Sequence, residues 1–308
     1  MAESDVLAQH PSHRSALAAR GFVHRLATTQ VLLTEVRPTG PDEFRATARW
    51  PCANAPEAAL PDARHDPLFV AETLRQLGIY LPLRFYGLSA ESRLLIEELR
   101  FTLEPATGRP AGSRTQCPSE IVCEARAVRR NAGGSAREHM RSLEMTVRLE
   151  ADGRELAQAE VVARVLYPAA YRAVRRSAVH GIERRYEDTS KSLVPVDAAR
   201  VGAVRARDVL VAVDSRGAVR IAPADPFHPF FHDHPGDHIT GMTLIGALQQ
   251  TAALQANEPR LRLRSCTLRA LRFTEPSPPP AVEIGTAGRF EIRQRGTVTA
   301  TGEAHFDL

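Results

Sequence analysis

The sequence predicts an α+β chain built from two curved antiparallel sheets, each wrapped around a long central helix. Three observations predict it: two segments apolar on nearly every helical face, a strand hairpin before each, and a short string repeated after each. A helix that is apolar all round belongs in a core. A sheet covering one side and a partner covering the other would bury it.

The first hairpin is "VLLTEVRPTGPDEFRATARWP" (31–51), two alternating strands joined at Gly40-Pro41-Asp42. The helix "HDPLFVAETLRQLGIYL" (65–81) follows, with Asp66 as the capping oxygen and Pro67 at the first helical position. The second copy reads "VLVAVDSRGAVRIAPADP" (209–226) for the hairpin and "DHITGMTLIGALQQ" (237–250) for the helix. After the helices come "LRFTLEP" (99–105) and "LRFTEP" (271–276), then the hairpin-like "DGRELAQAEVVARV" (152–165) and "QRGTVTATGEAHF" (294–306). Four landmarks in the same order mark an internal duplication. The arrangement is a tandem hotdog. Its expected units are a flexible leader over 1–20, a first repeat over 21–185, a linker over 186–204 and a second repeat over 205–308. The Gly-Gly-Ser of "RRNAGGSAREH" marks a flexible insertion in the first repeat.

Bulk composition narrows the function classes. A chain of 308 residues, 43% apolar and 25% charged, is long enough for two cores. No stretch reaches the ~18 uncharged apolar residues that a membrane helix needs, and "MAESDVLAQHPSHRS" has no apolar signal core. A cytoplasmic protein that does not engage a membrane is expected. The net charge is +4, and Lys191 is the sole lysine among many arginines. No basic recognition helix accompanies that charge, so nucleic acid is not an expected partner. Cys52, Cys117, Cys123 and Cys266 form no metal-type spacing and read as reduced thiols. The connector "AAYRAVRRSAVHGIERRYEDTSKSLVP" is either a solvated linker or a docking surface for an acidic partner. Arg172, Arg175, Arg176, Arg184 and Arg185 would carry the docking.

Two features carry chemistry. Glu72 and Arg75 lie on one face of the first apolar helix, where an unpaired charge is costly. They form either an internal salt bridge or a working acid and cation. Their counterparts in the second helix are Gly246 and Gln249, so the pair occurs once. The second feature is "FFHDHPGDHITGM", with His232, His234 and His238 around Pro235 and Gly236. Its proline and glycine and its place before a helix favour a backbone-capping or acid–base loop over a metal site. No metal and no cofactor are expected.

On these strings the chain resembles the A-factor synthase family. "FVHRLATTQVLLTEVR", "HDPLFVAETLRQLG" and "HDHPGDHITGMTLI" carry the resemblance, which covers nearly the whole chain. The histidine loop is more distantly similar to that of hotdog hydroxyacyl-carrier dehydratases. The resemblance implies transfer of a β-ketoacyl group from an acyl carrier protein thioester to the hydroxyl of dihydroxyacetone phosphate. Condensation to a butenolide or furan precursor follows. It implies Glu72, Arg75, His234 and His238 as catalytic residues, with Asp66, Gly236, Asp237, Gly241 and Gln249 binding substrate. Glu72 of the first half would face His234 of the second, either of them serving as the base. Burial would raise the Glu72 carboxyl, and Arg75 would pull it back down unless its charge is spent on the phosphate. Amides near Leu68 or Gly241 would hold an oxyanion, and Gly236 and Gly241 would allow a tight backbone approach. The mirror-image pocket at Gly246 would be inert. The family usually repeats the acid and the arginine in the second helix, and this chain departs there. A hotdog dehydratase or thioesterase and a non-catalytic acyl binder are the competing readings. A monomer and a homodimer are both compatible with a tandem repeat.

Overall fold

The computed structural model describes residues 21–51, 66–105, 120–131, 140–180, 192–232 and 236–308, with side chains except at 177–180. In the first half, β1 (Leu33–Gly40) and β2 (Glu43–Ala48) form the expected hairpin, followed by α1 (Pro67–Phe85). Then come β3 (Arg93–Leu103), β4 (Ile121–Asn131), β5 (Met140–Ala151) and β6 (Arg154–Leu166). Helix α2 (Pro168–His180) leads to the second half through β7 (Val194–Pro195), β8 (Val211–Val213) and β9 (Val219–Ile221). Helix α3 (Gly241–Ala256), β10 (Arg262–Ala270), β11 (Ala281–Ile284), β12 (Arg289–Gln294) and β13 (Thr297–Asp307) complete it.

Hairpin, helix, then strands recur as the duplication predicts. The two sheets, expected as separate, are joined. Strand β3 pairs antiparallel with β10, Leu99 opposite Leu268 and Phe101 opposite Cys266. All strands form one sheet in the order β1-β2-β4-β5-β6-β3-β10-β13-β12-β11-β9-β8-β7. Joining the halves there covers two edges that would otherwise present unpaired backbone.

Both helices lie against this sheet and each other. On α1, Phe69, Val70, Leu74, Leu77 and Leu81 are buried; on α3, Met242, Leu244, Ile245, Leu248 and Ala252 are. Each start is capped by a side-chain oxygen, Asp66 accepting from the Leu68 amide (2.9 Å) and Thr240 from the Thr243 amide (3.3 Å). The indole of Trp50, which closes the first hairpin, donates to Thr73 Oγ1 at 2.9 Å and ties that hairpin to α1. The β5–β6 and β12–β13 turns match residue for residue. Asp152 and Gly153 take φ of 53° and 72°, Arg295 and Gly296 of 52° and 73°. Two positive φ values in succession make the tight turn whose twist suits a hairpin.

The copies also diverge. Phe101 of "LRFTLEP" is a fully buried β3 residue. Its counterpart Phe273 follows the end of β10 and packs its ring on Tyr171 and His238. Strand β10 ends at Ala270, just before the repeated string begins, whereas β3 runs on to Leu103. Burial pushes the Cys123 and Cys266 thiols up to about 12 and keeps them inert; Cys52 and Cys117 lie outside the described residues. Among the described residues no helix is long and apolar enough to cross a membrane.

Candidate active site

The first charged site forms because the lead-in to β1 folds back onto α1. Val23 is buried, His24 takes a left-handed φ of 50°, and Arg25 is thereby turned inward, with 4% of its side chain exposed. Arg25 meets Glu72 from one side and Arg75 meets it from the other. Glu72 Oε1 accepts from Arg25 Nε (3.0 Å), Arg75 Nη2 (2.8 Å) and Gln76 Nε2 (2.6 Å). Oε2 takes Arg75 Nε (2.7 Å) and Arg25 Nη2 (2.8 Å). Every lone-pair direction of the carboxylate is in use. Arg25 then reaches the other half, donating from Nη1 to the Phe230 carbonyl at 2.9 Å.

Of the two opposed effects expected on Glu72, the cationic one prevails. Burial pushes the Glu72 carboxyl upward, but the Arg75 and Arg25 guanidiniums more than reverse it and leave it below its ordinary value. A carboxylate so held is a weak base. The trio of two cations and one anion keeps a net positive charge.

That start is chemically open. The Gly241 and Met242 amides donate to no group among the described residues, whereas the first α1 amides are spent, Leu68 on the Asp66 side chain and Phe69 on its carbonyl. Of the two expected oxyanion sites, only α3 therefore has free donors. His232 Nε2 lies 3.4 Å from Thr243 Oγ1 in the first turn, and Thr240 Oγ1 donates to the Phe231 carbonyl at 3.4 Å. His234 lies outside the described residues.

Asp237 and His238 are placed elsewhere. Asp237 accepts from the Tyr171 hydroxyl (2.6 Å) and the His238 ring (2.7 Å) and pairs with Arg175 (3.1 Å). Arg175 also forks onto Glu275 at 2.7 and 3.0 Å. Burial raises the Asp237 carboxyl, and Tyr171, His238 and Arg175 together bring it below its ordinary value. Among the described residues no hydrogen bond or ion pair joins this cluster to Glu72. Its geometry is that of a latch from α2 to the α3 loop, and Arg175 is spent within it. A Cβ at Gly236 or Gly241 would meet no protein atom closer than 3.5 Å, so the backbone is open on that side.

The mirror-image position holds a cleft. Val201, Gly202 and Ala203 repeat Val23, His24 and Arg25 at constant spacing ahead of the hairpin, with Gly202 at φ 69° where His24 has 50°. Ala203, Gly246 and Gln249 thus stand where the first half has Arg25, Glu72 and Arg75. All three line a cleft of about 80 Å³. Asp66 lines it too, its carboxyl raised by burial against the lowering effects of the Leu68 amide and Arg262. A Cβ on Gly246 would sit 2.6 Å from Leu210 and 3.0 Å from Phe231, so no acid fits there.

Comparison with known proteins agrees with this architecture. The profile of the A-factor biosynthesis hotdog domain matches residues 7–167 and 186–275. The chain belongs to the A-factor biosynthesis hotdog family. It is similar to the 2-oxo-3-(phosphooxy)propyl 3-oxoalkanoate synthase of Streptomyces virginiae, 28% identical over 253 residues, covering 82% of this chain and 80% of that protein. The Streptomyces coelicolor A3(2) protein of the same name is 29% identical over 233 residues, covering 76% and 70%. Among solved structures, the 12:0-ACP thioesterase from Umbellularia californica aligns with a TM-score of 0.44 at 10% identity, over 88% of this chain and 99% of that one. In this chain the charged trio occurs in the first repeat, and Ala203, Gly246 and Gln249 occupy the matching positions of the second. Arg25, its third member, was missed in the sequence because it lies in the lead-in, far from Glu72 in the chain. The signal that finds it is the shared spacing of "VHRLATTQVL" and "VGAVRARDVL".

Proposed function

We propose that the chain transfers a 3-oxoacyl group from an acyl carrier protein thioester to the free hydroxyl of dihydroxyacetone phosphate. The product is the 2-oxo-3-(phosphooxy)propyl 3-oxoalkanoate ester. The observation that carries this reading is the family match across both repeats, with curated relatives named as synthases of that ester. The hydroxyl oxygen attacks the thioester carbonyl, the C–O bond forms, the C–S bond breaks, and the hydroxyl proton passes through a base to the leaving thiolate. The ester then carries a methylene between two carbonyls, which can close on the neighbouring ketone with loss of water to a butenolide phosphate.

Two features support a reaction centre at the start of α3. The Gly241 and Met242 amides, without a partner among the described residues, would hold a developing oxyanion with the helix dipole behind them. The Arg25–Glu72–Arg75 trio supplies the positive charge a phosphate needs, through Arg75, whose side chain keeps 18% exposure. Glu72 is then the residue that fixes both guanidiniums, and His234 takes the role of base. Purified protein given a 3-oxoacyl thioester with and without dihydroxyacetone phosphate should form the ester only with it, as read by mass spectrometry. Thioester loss at the same rate without the phosphate would overturn the reading in favour of a thioesterase.

A further inference from the structure

The cleft at the position matching the charged site of the first half has the lining of a binding site. Its apolar walls are Leu68, Phe69, Val201, Ala203, Phe230 and Phe231. Most of its polar groups are satisfied within the protein. His228 takes the Phe230 amide on Nδ1 (3.2 Å) and meets Asp208 with Nε2 (3.1 Å), while Gln250 is spent on the Leu210 amide and the Asp208 carbonyl. Gln249 differs: its buried Oε1 accepts from no group among the described residues. A buried acceptor without a donor is costly, and a ligand N–H would relieve it. Asp66, whose raised carboxyl favours its neutral form, and Asp208 line the space beside no arginine or lysine, so nothing in the lining would compensate the charge of an anionic group such as a phosphate. Two exposed apolar side chains flank the lining residues, Val204 (56% exposed) beside Ala203 and Phe227 (70%) beside His228. Exposed apolar surface next to a half-open apolar cleft marks a place for a ligand.

The cleft and the proposed reaction centre meet at one residue. Phe231 lines it, and the carbonyl of the same residue accepts from Thr240, the cap of α3. Cleft and α3 start therefore share one wall.

We infer that this cleft holds the pantetheine-like arm of the acyl thioester, a neutral chain with two amide groups, with one of its amide N–H groups donating to Gln249 Oε1. The inference rests on the proposed acyl transfer for the identity of the donor. It makes the two halves unequal by function: the charged half holds the phosphate, and the half stripped of charge holds the arm. Replacing Arg25, Glu72 and Arg75 by Ala203, Gly246 and Gln249 is what allows a neutral chain to lie there.

The test is titration of the full chain with an S-alkyl pantetheine thioether, which cannot transfer an acyl group. Gln249→Leu removes the acceptor and should weaken binding about tenfold. Ala203→Leu fills the cleft and should weaken it further. Both should raise the KM for the acyl thioester and leave the KM for dihydroxyacetone phosphate near the parent value. Circular dichroism confirms folding, and either variant alone decides the matter. Thioether binding unchanged in a folded variant overturns the inference, as does a cleft that binds a simple alkyl carboxylate and not pantetheine. A parent protein that makes no ester yet binds the thioether in a cleft-dependent way removes the proposed reaction and leaves this site standing. Ester formation indifferent to both variants does the reverse.

Discussion

Gln76 and Gln250 hold the two hairpins by the same pair of bonds. Gln76 Oε1 accepts from the Leu32 amide at 2.9 Å and its Nε2 donates to the Gln30 carbonyl at 2.7 Å. Gln250 Oε1 accepts from Leu210 at 2.7 Å and its Nε2 donates to Asp208 at 2.8 Å. One side chain on each central helix thus supplies both the donor and the acceptor that the first residues of its hairpin lack. Gln76 carries an additional duty, since its Nε2 also reaches Glu72.

Loss of these amides should therefore be costly and unequal. Gln76→Ala strands a buried amide, a buried carbonyl and part of the Glu72 shell, and should cost about 3 kcal/mol. Gln250→Ala should cost about 2 kcal/mol, because its site is partly exposed. Urea denaturation of the two variants measures the order. Equal losses would mean that the Glu72 contact contributes nothing.

Glu72 should prove indispensable to folding as well as to turnover. Glu72→Ala leaves two guanidiniums facing each other in a buried space, at a cost of about 3–5 kcal/mol. Its pH signature follows from a carboxyl held below its ordinary value by Arg75 and Arg25 against burial. The folded state then gains from ionised Glu72 at every pH above the unfolded value of 4.5, and loses that gain as pH falls through the lower folded value. The parent should lose stability steeply on that acid side, and the variant should lose less. Parallel melting-temperature curves for the two proteins below pH 4.5 would disprove the assignment.

Asp66 should behave in the opposite sense. Burial raises its carboxyl, so its neutral form is the one the fold favours. The stability it contributes is complete below the unfolded value of 3.8 and fades as pH rises through the higher folded value. Asp66→Asn keeps an oxygen for the Leu68 amide and cannot ionise. The variant should gain on the parent steadily as pH rises from 3 towards neutrality. A stability difference constant over that range would show that Asp66 is not desolvated.

The legible parts of this chain are those written in local pattern. The capping Asp66-Pro67 pair, the apolar faces of α1 and α3, and the Gly-bearing turns at Asp152 and Arg295 each follow from a few adjacent residues. The Glu72–Arg75 pair was legible from helical spacing alone. Arg25 was not, because an arginine in an arginine-rich chain announces nothing until the backbone at His24 turns it inward. The union of the sheets through β3 and β10 depends on edges more than 160 residues apart in sequence, which alternation within a strand cannot reveal. The cleft was read as an inert remnant because loss of charge was visible, whereas the space and the unmet Gln249 acceptor were not.

The loop before α3 should depend on the helix that precedes the second half. Tyr171 and Arg175 of α2 both grip Asp237, and Arg175 adds a bond from Nη2 to the Asp237 carbonyl at 2.7 Å. The side chains of Arg175 and Glu275 are only 14% and 16% exposed, so screening by solvent is limited. Arg175→Ala leaves the Asp237 and Glu275 carboxylates close together without a cation, which should cost about 1–3 kcal/mol. Tyr171→Phe removes a single hydroxyl and should leave global unfolding almost unchanged. Its effect should be local: amide exchange at residues 236–240 should quicken, since that segment loses a fixed anchor while the sheet beneath keeps its own. If those residues orient the α3 start for acyl transfer, kcat should fall severalfold with the thioester KM little changed. Exchange at 236–240 that matches the parent would show that the loop is held by its own contacts and that α2 only lies across it.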